Sequence, residues 1–277
     1  MDEKLIKLIR MLTLFLAMCL GVVSYCGAFV PMTYEQETVS LATQGVGQDL
    51  VDLFLIVPLL VIMIFLIKPD RVLPLLFHGG LIFYVLYAFF IYSLGIRFNF
   101  LFLWYCTILG LSVYLFVLIL GQLDAVEFKI QCAKGLRFWT VLFLWLVAVI
   151  FYLLWIKEIL PAILSQSAPK SVVDYHLLVN PVHVMDLAVV LPGLVISAVL
   201  FAGKHRWGNI LAPIALGLIV FMAIALAGMM FLLKIRHVEG DVVVAIIFAV
   251  LAFIGSLLLA ALLRNVKQRN DDYRLNV

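Results

Sequence analysis

Residues 52–94 read DLFLIVPLLVIMIFLIKPDRVLPLLFHGGLIFYVLYAFFIYSL: two apolar runs separated by Lys68, Pro69, Asp70 and Arg71. A run of about 20 apolar residues, at about 1.5 Å rise each, crosses a hydrocarbon core of about 30 Å. The four-residue break is a tight turn. Pro69 ends the first helix there, because it lacks an N–H and disfavours helix in the residue before it. The stretch therefore reads as a helical hairpin inside a membrane.

Working outward, the same test selects eight spans, approximately Met11–Val30, Leu50–Ile67, Val72–Leu94, Phe100–Gly121, Phe138–Ile156, Val184–Gly203, Asn209–Leu233 and Val242–Leu263. Composition agrees: 66% of the 277 residues are hydrophobic and 13% are charged. Soluble domains carry about 25% charged residues, so lipid is the expected solvent. The net charge of +3 gives no argument for a nucleic-acid partner. The N-terminal apolar run is longer than a signal-peptide core and reads as a first span. Cys19, Cys26, Cys106 and Cys132 have no metal-binding spacing and read as packing residues or free thiols.

Charge gives the spans a direction. Fourteen of the nineteen Lys and Arg residues fall in the N-terminal segment, 68–71, 122–137, 204–206 and the C-terminal tail, and five fall in the alternate connections. Lys and Arg accumulate on the cytoplasmic side, so both termini are expected inside and the basic tail near anionic lipid. Glu35, Glu37, Asp49, Asp52, Glu158, Asp174, Asp186, Glu239 and Asp241 lie at or near the other face. Two long loops, 31–49 and 157–183, are expected there, and long connections are more often functional.

A repeat is visible as well. Asp52-Leu53 followed by Pro58, and Asp186-Leu187 followed by Pro192, share the pattern D-L-x4-P at an offset of 134, with Leu, Val and Ile matching beyond the proline. Four spans per copy give copies of the same orientation and a pseudo-two-fold axis along the membrane normal. The expected architecture is an all-α polytopic helix bundle of eight transmembrane helices, built as a parallel 4+4 repeat: residues 1–122, a cytoplasmic linker 123–137, and residues 138–277.

The outer ends of the second and sixth spans attract attention. Asp52 and Asp186 are read about one turn into the membrane, near helix N-termini that would cap or favour a negative charge. Pro58 and Pro192 deprive the carbonyls of Phe54 and Ala188 of their helix partners. Asp49 and His183 occupy equivalent repeat positions. Together Asp49, Asp52, Pro58, His183, Asp186 and Pro192 form a candidate site for a small molecule or cation at the outer face. Asp174, His176, His183 and Asp186 form a weaker candidate set for a divalent metal such as Zn²⁺ or Mn²⁺. His78 reads as a hydrogen-bond partner of a neighbouring helix, with a proton relay as the alternative. Gly79, Gly80, Gly217 and Gly228 read as close-packing positions, and Trp104, Trp139, Trp155, Trp207 and Tyr34 as interfacial anchors. No nucleotide, hydrolase, dinucleotide or haem motif occurs.

The stretch from Asn180 to Pro192, NPVHVMDLAVVLP, resembles a pattern in uncharacterised bacterial multi-span membrane proteins, chiefly over the fifth to seventh spans. The resemblance implies a bacterial cytoplasmic-membrane protein and no activity. The reading favoured is a small-molecule or ion transporter or binding protein with an outward-facing site and no cofactor. The alternatives are a non-catalytic partner or sensor subunit, then a metal-dependent membrane enzyme. The lipid bilayer is the one partner the sequence defines.

Overall fold

The computed structural model describes residues 1–238 and 240–268; Glu239 and residues 269–277, with Arg269 and Arg274, lie outside the described residues. The described residues form an all-α bundle with eight helices long and apolar enough to cross a membrane. They are α1 (Glu3–Phe29), α2 (Val39–Leu66), α3 (Val72–Gly95), α4 (Phe102–Asp124), α5 (Lys134–Leu164), α6 (Pro181–Ala202), α7 (Arg206–Ile235) and α8 (Val242–Arg264).

Local sequence explains where several begin. Asp2, Thr38, Asn180 and Asp241 are N-caps whose side chains accept amide bonds from the first turns of α1, α2, α6 and α8. Two expected loops are largely helical. α2 starts at Val39, eleven residues before the expected Leu50, and α5 runs on to Leu164 with Pro161 inside it. The apolar test missed the α2 extension because its polar turns are shielded by protein: Thr43, Gly45, Gly47, Gln48 and Asp49 are all buried.

α3 and α7 form the centre. In their most apolar windows 78% and 72% of the residues are buried, against 17% for α8. The outer helices turn apolar side chains outward, among them Leu146, Ile150 and Leu153 on α5 and Ile246, Val250 and Phe253 on α8. That surface suits lipid and would be costly in water.

Lipid offers no hydrophobic drive for helices to associate, so close backbone packing carries more of the work. A Cβ on Gly80 would stand 2.8 Å from the Gly217 Cα, and one on Gly217 would stand 2.9 Å from the Gly80 Cα. α2 meets α7 in the same way, with Gly47 against the Met229 backbone and Gly228 against Val51. Gly80→Val is expected to cost about 1–3 kcal/mol through overpacking. Gly110→Val, whose position has open space around it, should be close to neutral. Thermal unfolding in detergent compares the two, and equal melting temperatures would contradict the crossing.

Contacts sort the connections to two ends. At one end the N-terminal ammonium meets the Pro69 carbonyl, the Asp2 N–H donates to Gln122, and Arg206 pairs with Asp124 at 3.3 Å. Here the expected linker 123–137 is tied down. Its strand β1 (Phe128–Ile130) pairs antiparallel with β2 (Val266–Gln268) from the C-terminal segment. Arg137 donates to the Phe201 carbonyl and lies over the Phe201 ring. At the other end Glu37 accepts from the Arg97 N–H, Asn99 donates to the Thr33 carbonyl, and Gln44 donates to Tyr175 at 3.2 Å. The basic connections gather at the first end.

Candidate functional site

Helices α2 and α6 share an irregularity. Residues Asp52–Ile56 and Asp186–Val190 each form a π-turn directly before the proline-bearing segment. The Val57 N–H reaches back five residues to the Asp52 carbonyl, and the Leu191 N–H does the same to Asp186. The ordinary α pattern would have given those amides to Leu53 and Leu187. The π-turns therefore leave the carbonyls of Leu53 and Leu187, as well as those of Phe54 and Ala188 that face the prolines, without their α-pattern amides. Such single π-turns are frequent at functional sites.

The aspartates at these turns are not terminal caps, as the sequence had suggested. Asp52 is the fourteenth residue of the 28-residue α2, and it is 1% exposed. α6 begins at Pro181, so Asp186 lies beyond its first turn, 3% exposed. A carboxylate at such depth costs about 2.5–3.5 kcal/mol on insertion scales unless partners meet it. The partners are aromatic. The Tyr84 hydroxyl donates to Asp52 Oδ1 at 2.7 Å, and the Trp155 Nε1–H donates to Asp186 Oδ2 at 2.8 Å. Tyr87 lies close enough to interact with the Asp186 carboxyl, and Gln48 with that of Asp52. No hydrogen bond of good geometry reaches Asp186 Oδ1 or Asp52 Oδ2.

Asp49 is fully enclosed. Tyr34 donates to its Oδ2 at 2.5 Å and Tyr92 to its Oδ1 at 3.4 Å. Burial, followed by the neighbouring Asp49 charge, holds the Tyr34 phenol well above its ordinary range, so its hydroxyl remains a donor. Tyr34 and Trp155 are thus partners of buried carboxyls rather than interfacial anchors. Trp104 and Trp139, at 40% and 60% exposed, remain on the surface.

A cavity of about 270 Å³ opens between α2, α3, α5, α6 and α7, with Phe248 of α8 on its wall. On α3 its lining follows Tyr84, Tyr87, Ala88, Ile91, Tyr92 and Gly95, one stripe at helical spacing. From Ile96 down to Tyr84 is about 18 Å at helical rise. Tyr84 is the thirteenth residue of the 24-residue α3, so the cavity reaches mid-bundle. The Gly80–Gly217 crossing closes it one turn below. Gln44, Tyr175 and Asn180 stand toward the loop end, and Asp186 lies on the wall.

The expected site residues are therefore distributed. Asp186 lines the cavity. Asp52 and Asp49 stand behind it, joined to it through the hydroxyls of Tyr84 and Tyr92. Neither Pro58 nor Pro192 lines it, and both act through the helix path instead. His183 packs its ring 4.6 Å from Trp155, with Nε2 3.6 Å from Glu158. Asp174 pairs with Lys170, and His176 is exposed in a left-handed turn. Among the described residues no three His, Cys, Asp or Glu side chains come together to hold a metal. His78 does bond to a neighbouring helix, through Nε2 to Thr13 of α1 at 2.9 Å.

The tyrosines of α3 and the pair Gln44 and Gln48 were not singled out from the sequence. Their signal was present: three tyrosine hydroxyls on one face of the span, and two amides four residues apart. The second pair gains its meaning only because residues 39–49 are helical, which puts both amides on one face.

The fold and the cavity together define a multi-pass helical membrane protein with a largely apolar, aromatic-lined pocket that carries a few buried polar groups. Compared with protein-family models, with curated proteins and with solved structures, the chain matches none.

Proposed function

We propose that this is a small-molecule binding protein or transporter of a bacterial cytoplasmic membrane, whose site is the cavity between α2, α3, α5, α6 and α7. One observation carries the reading: a cavity lined by buried polar groups reaches mid-bundle from one end and is closed at the other by the Gly80–Gly217 crossing. Pockets between helices of a bundle are a usual place for small ligands. In transporters the site lies near the membrane midplane, beside interrupted helices.

Orientation follows from the basic end, which is cytoplasmic by the positive-inside bias. The cavity then faces outward and both termini lie inside. The parallel 4+4 repeat is supported by the paired π-turns at an offset of 134 and by the central pairing of α3 with α7, the third helix of each half. α2 packs on α7 of the other half, and the start of α6 packs on α3, where Pro181 meets Gly95.

Thiol labelling tests the reading. Cys19, Cys26, Cys106 and Cys132 are replaced by alanine, and a single cysteine is placed at Ile91, half-buried on the cavity wall. A membrane-impermeant maleimide added outside intact cells is expected to label it. A cysteine at buried Ala212, toward the basic end of α7, should stay unlabelled. Labelling of the Ile91 position only from the cytoplasmic side, or not at all, would overturn the proposal.

A further inference from the structure

We infer that the ligand of this cavity is a small monovalent organic cation with an apolar body, and that Asp186 is its counter-ion. The inference rests on the cavity being the binding site and adds the class of ligand. Its first support is the sign of the lining. Among the described residues no Lys, Arg or His lines the cavity, and Asp186 is its one carboxyl. Its second support is the open acceptor. Trp155 holds Oδ2, while Oδ1 has no partner of good geometry and only the Tyr87 hydroxyl nearby, in a residue 3% exposed. A buried carboxylate with a vacant acceptor is costly, and a ligand ammonium supplies both charge and donor.

The other two carboxyls do not compete for this role. Both oxygens of Asp49 are taken by Tyr34 and Tyr92, Tyr84 holds Asp52, and neither aspartate lines the cavity. The walls suit an organic cation. Tyr84, Tyr87, Phe151, Trp155 and Phe248 present rings around the space, and ring faces attract cations. The absence of a three-residue ligand group among the described residues favours one positive charge over a divalent metal. At about 270 Å³ the space is just below the range of drug-sized sites, about 300–1,000 Å³.

Three probes of nearly one shape separate the charge states: 2-phenylethylammonium, 2-phenylethanol and phenylacetate. Each is titrated for protection of the Ile91 cysteine against a maleimide, in the full-length protein. The ammonium is expected to protect at a concentration at least tenfold below the alcohol, and phenylacetate should not protect. Asp186→Asn is expected to bring ammonium and alcohol within about threefold. Thermal unfolding in detergent, compared with the parent protein, reports that the variant is folded. Asn keeps an oxygen for Trp155, and the wild-type comparison needs no variant. Equal protection by all three, a preference for phenylacetate, or an ammonium preference that survives in Asp186→Asn would overturn the assignment. A cysteine that is labelled but protected by none of the three overturns it too, and leaves the cavity reading standing. A cysteine that is never labelled overturns both.

Discussion

Gly27→Ala is expected to lower stability by about 3 kcal/mol or more and to reduce the yield of folded protein sharply. A Cβ at this position of α1 would stand 1.8 Å from Asp49 Oδ2 and 2.5 Å from its Cγ. The carboxyl has nowhere to go, because it is 0% exposed and pinned by Tyr34 and Tyr92. Two costs combine: overpacking, about 1–3 kcal/mol, and a buried carboxyl pulled from its donors, about 1–3 kcal/mol. The double variant Gly27→Ala with Asp49→Ala should regain part of the loss, since it removes the group being struck. Thermal unfolding in detergent reads both. A single variant as stable as wild type would mean that α1 does not approach α2 this closely.

Tyr84→Phe carries the second large effect, about 2–3 kcal/mol. It deletes the one hydrogen bond of good geometry to the Asp52 carboxyl, in a site 1% exposed. The expense lies in the acceptor left behind more than in the bond itself. Tyr84→Phe combined with Asp52→Leu should therefore cost less than the two single changes added together, by at least about 1 kcal/mol in a double-mutant cycle. Strict additivity would rule out the pairing. The cycle also bears on function, because Tyr84 is the cavity wall in front of Asp52.

The depth of Asp52 shows why the sequence was read too shallow. Residues 39–49 contain Thr43, Gln44, Gln48 and Asp49, too polar for a lipid-facing helix, so the apolar run seemed to begin at Leu50. Those residues face α1, α3 and α7 instead of lipid, and the helix extends over them. The aspartate then moves from an expected cap to the middle of α2. The two prolines show the same dependence on tertiary context. Pro58 and Pro192 do mark the helix irregularities, but the π-turns widen them to Leu53 and Leu187 and turn Phe54 and Ala188 to the exterior, where both are exposed. Trp155 looked interfacial by position. Its indole N–H is instead the partner of Asp186, 31 residues later.

By itself the sequence determined the eight spans, their order and the segregation of basic residues to one end. That follows because a membrane helix satisfies its own backbone within one segment, so apolar length is a local property readable residue by residue. The D-L-x4-P match likewise marked the two places where the helices depart from regularity. Only the tertiary structure decided which polar groups meet. Asp52 with Tyr84, Asp49 with Tyr34 and Tyr92, and Asp186 with Trp155 are pairings across helices. They depend on how close glycines such as Gly27, Gly80 and Gly217 let those helices come. Hydropathy carries no information about that distance, and it is that distance which turns separate polar residues into one cavity.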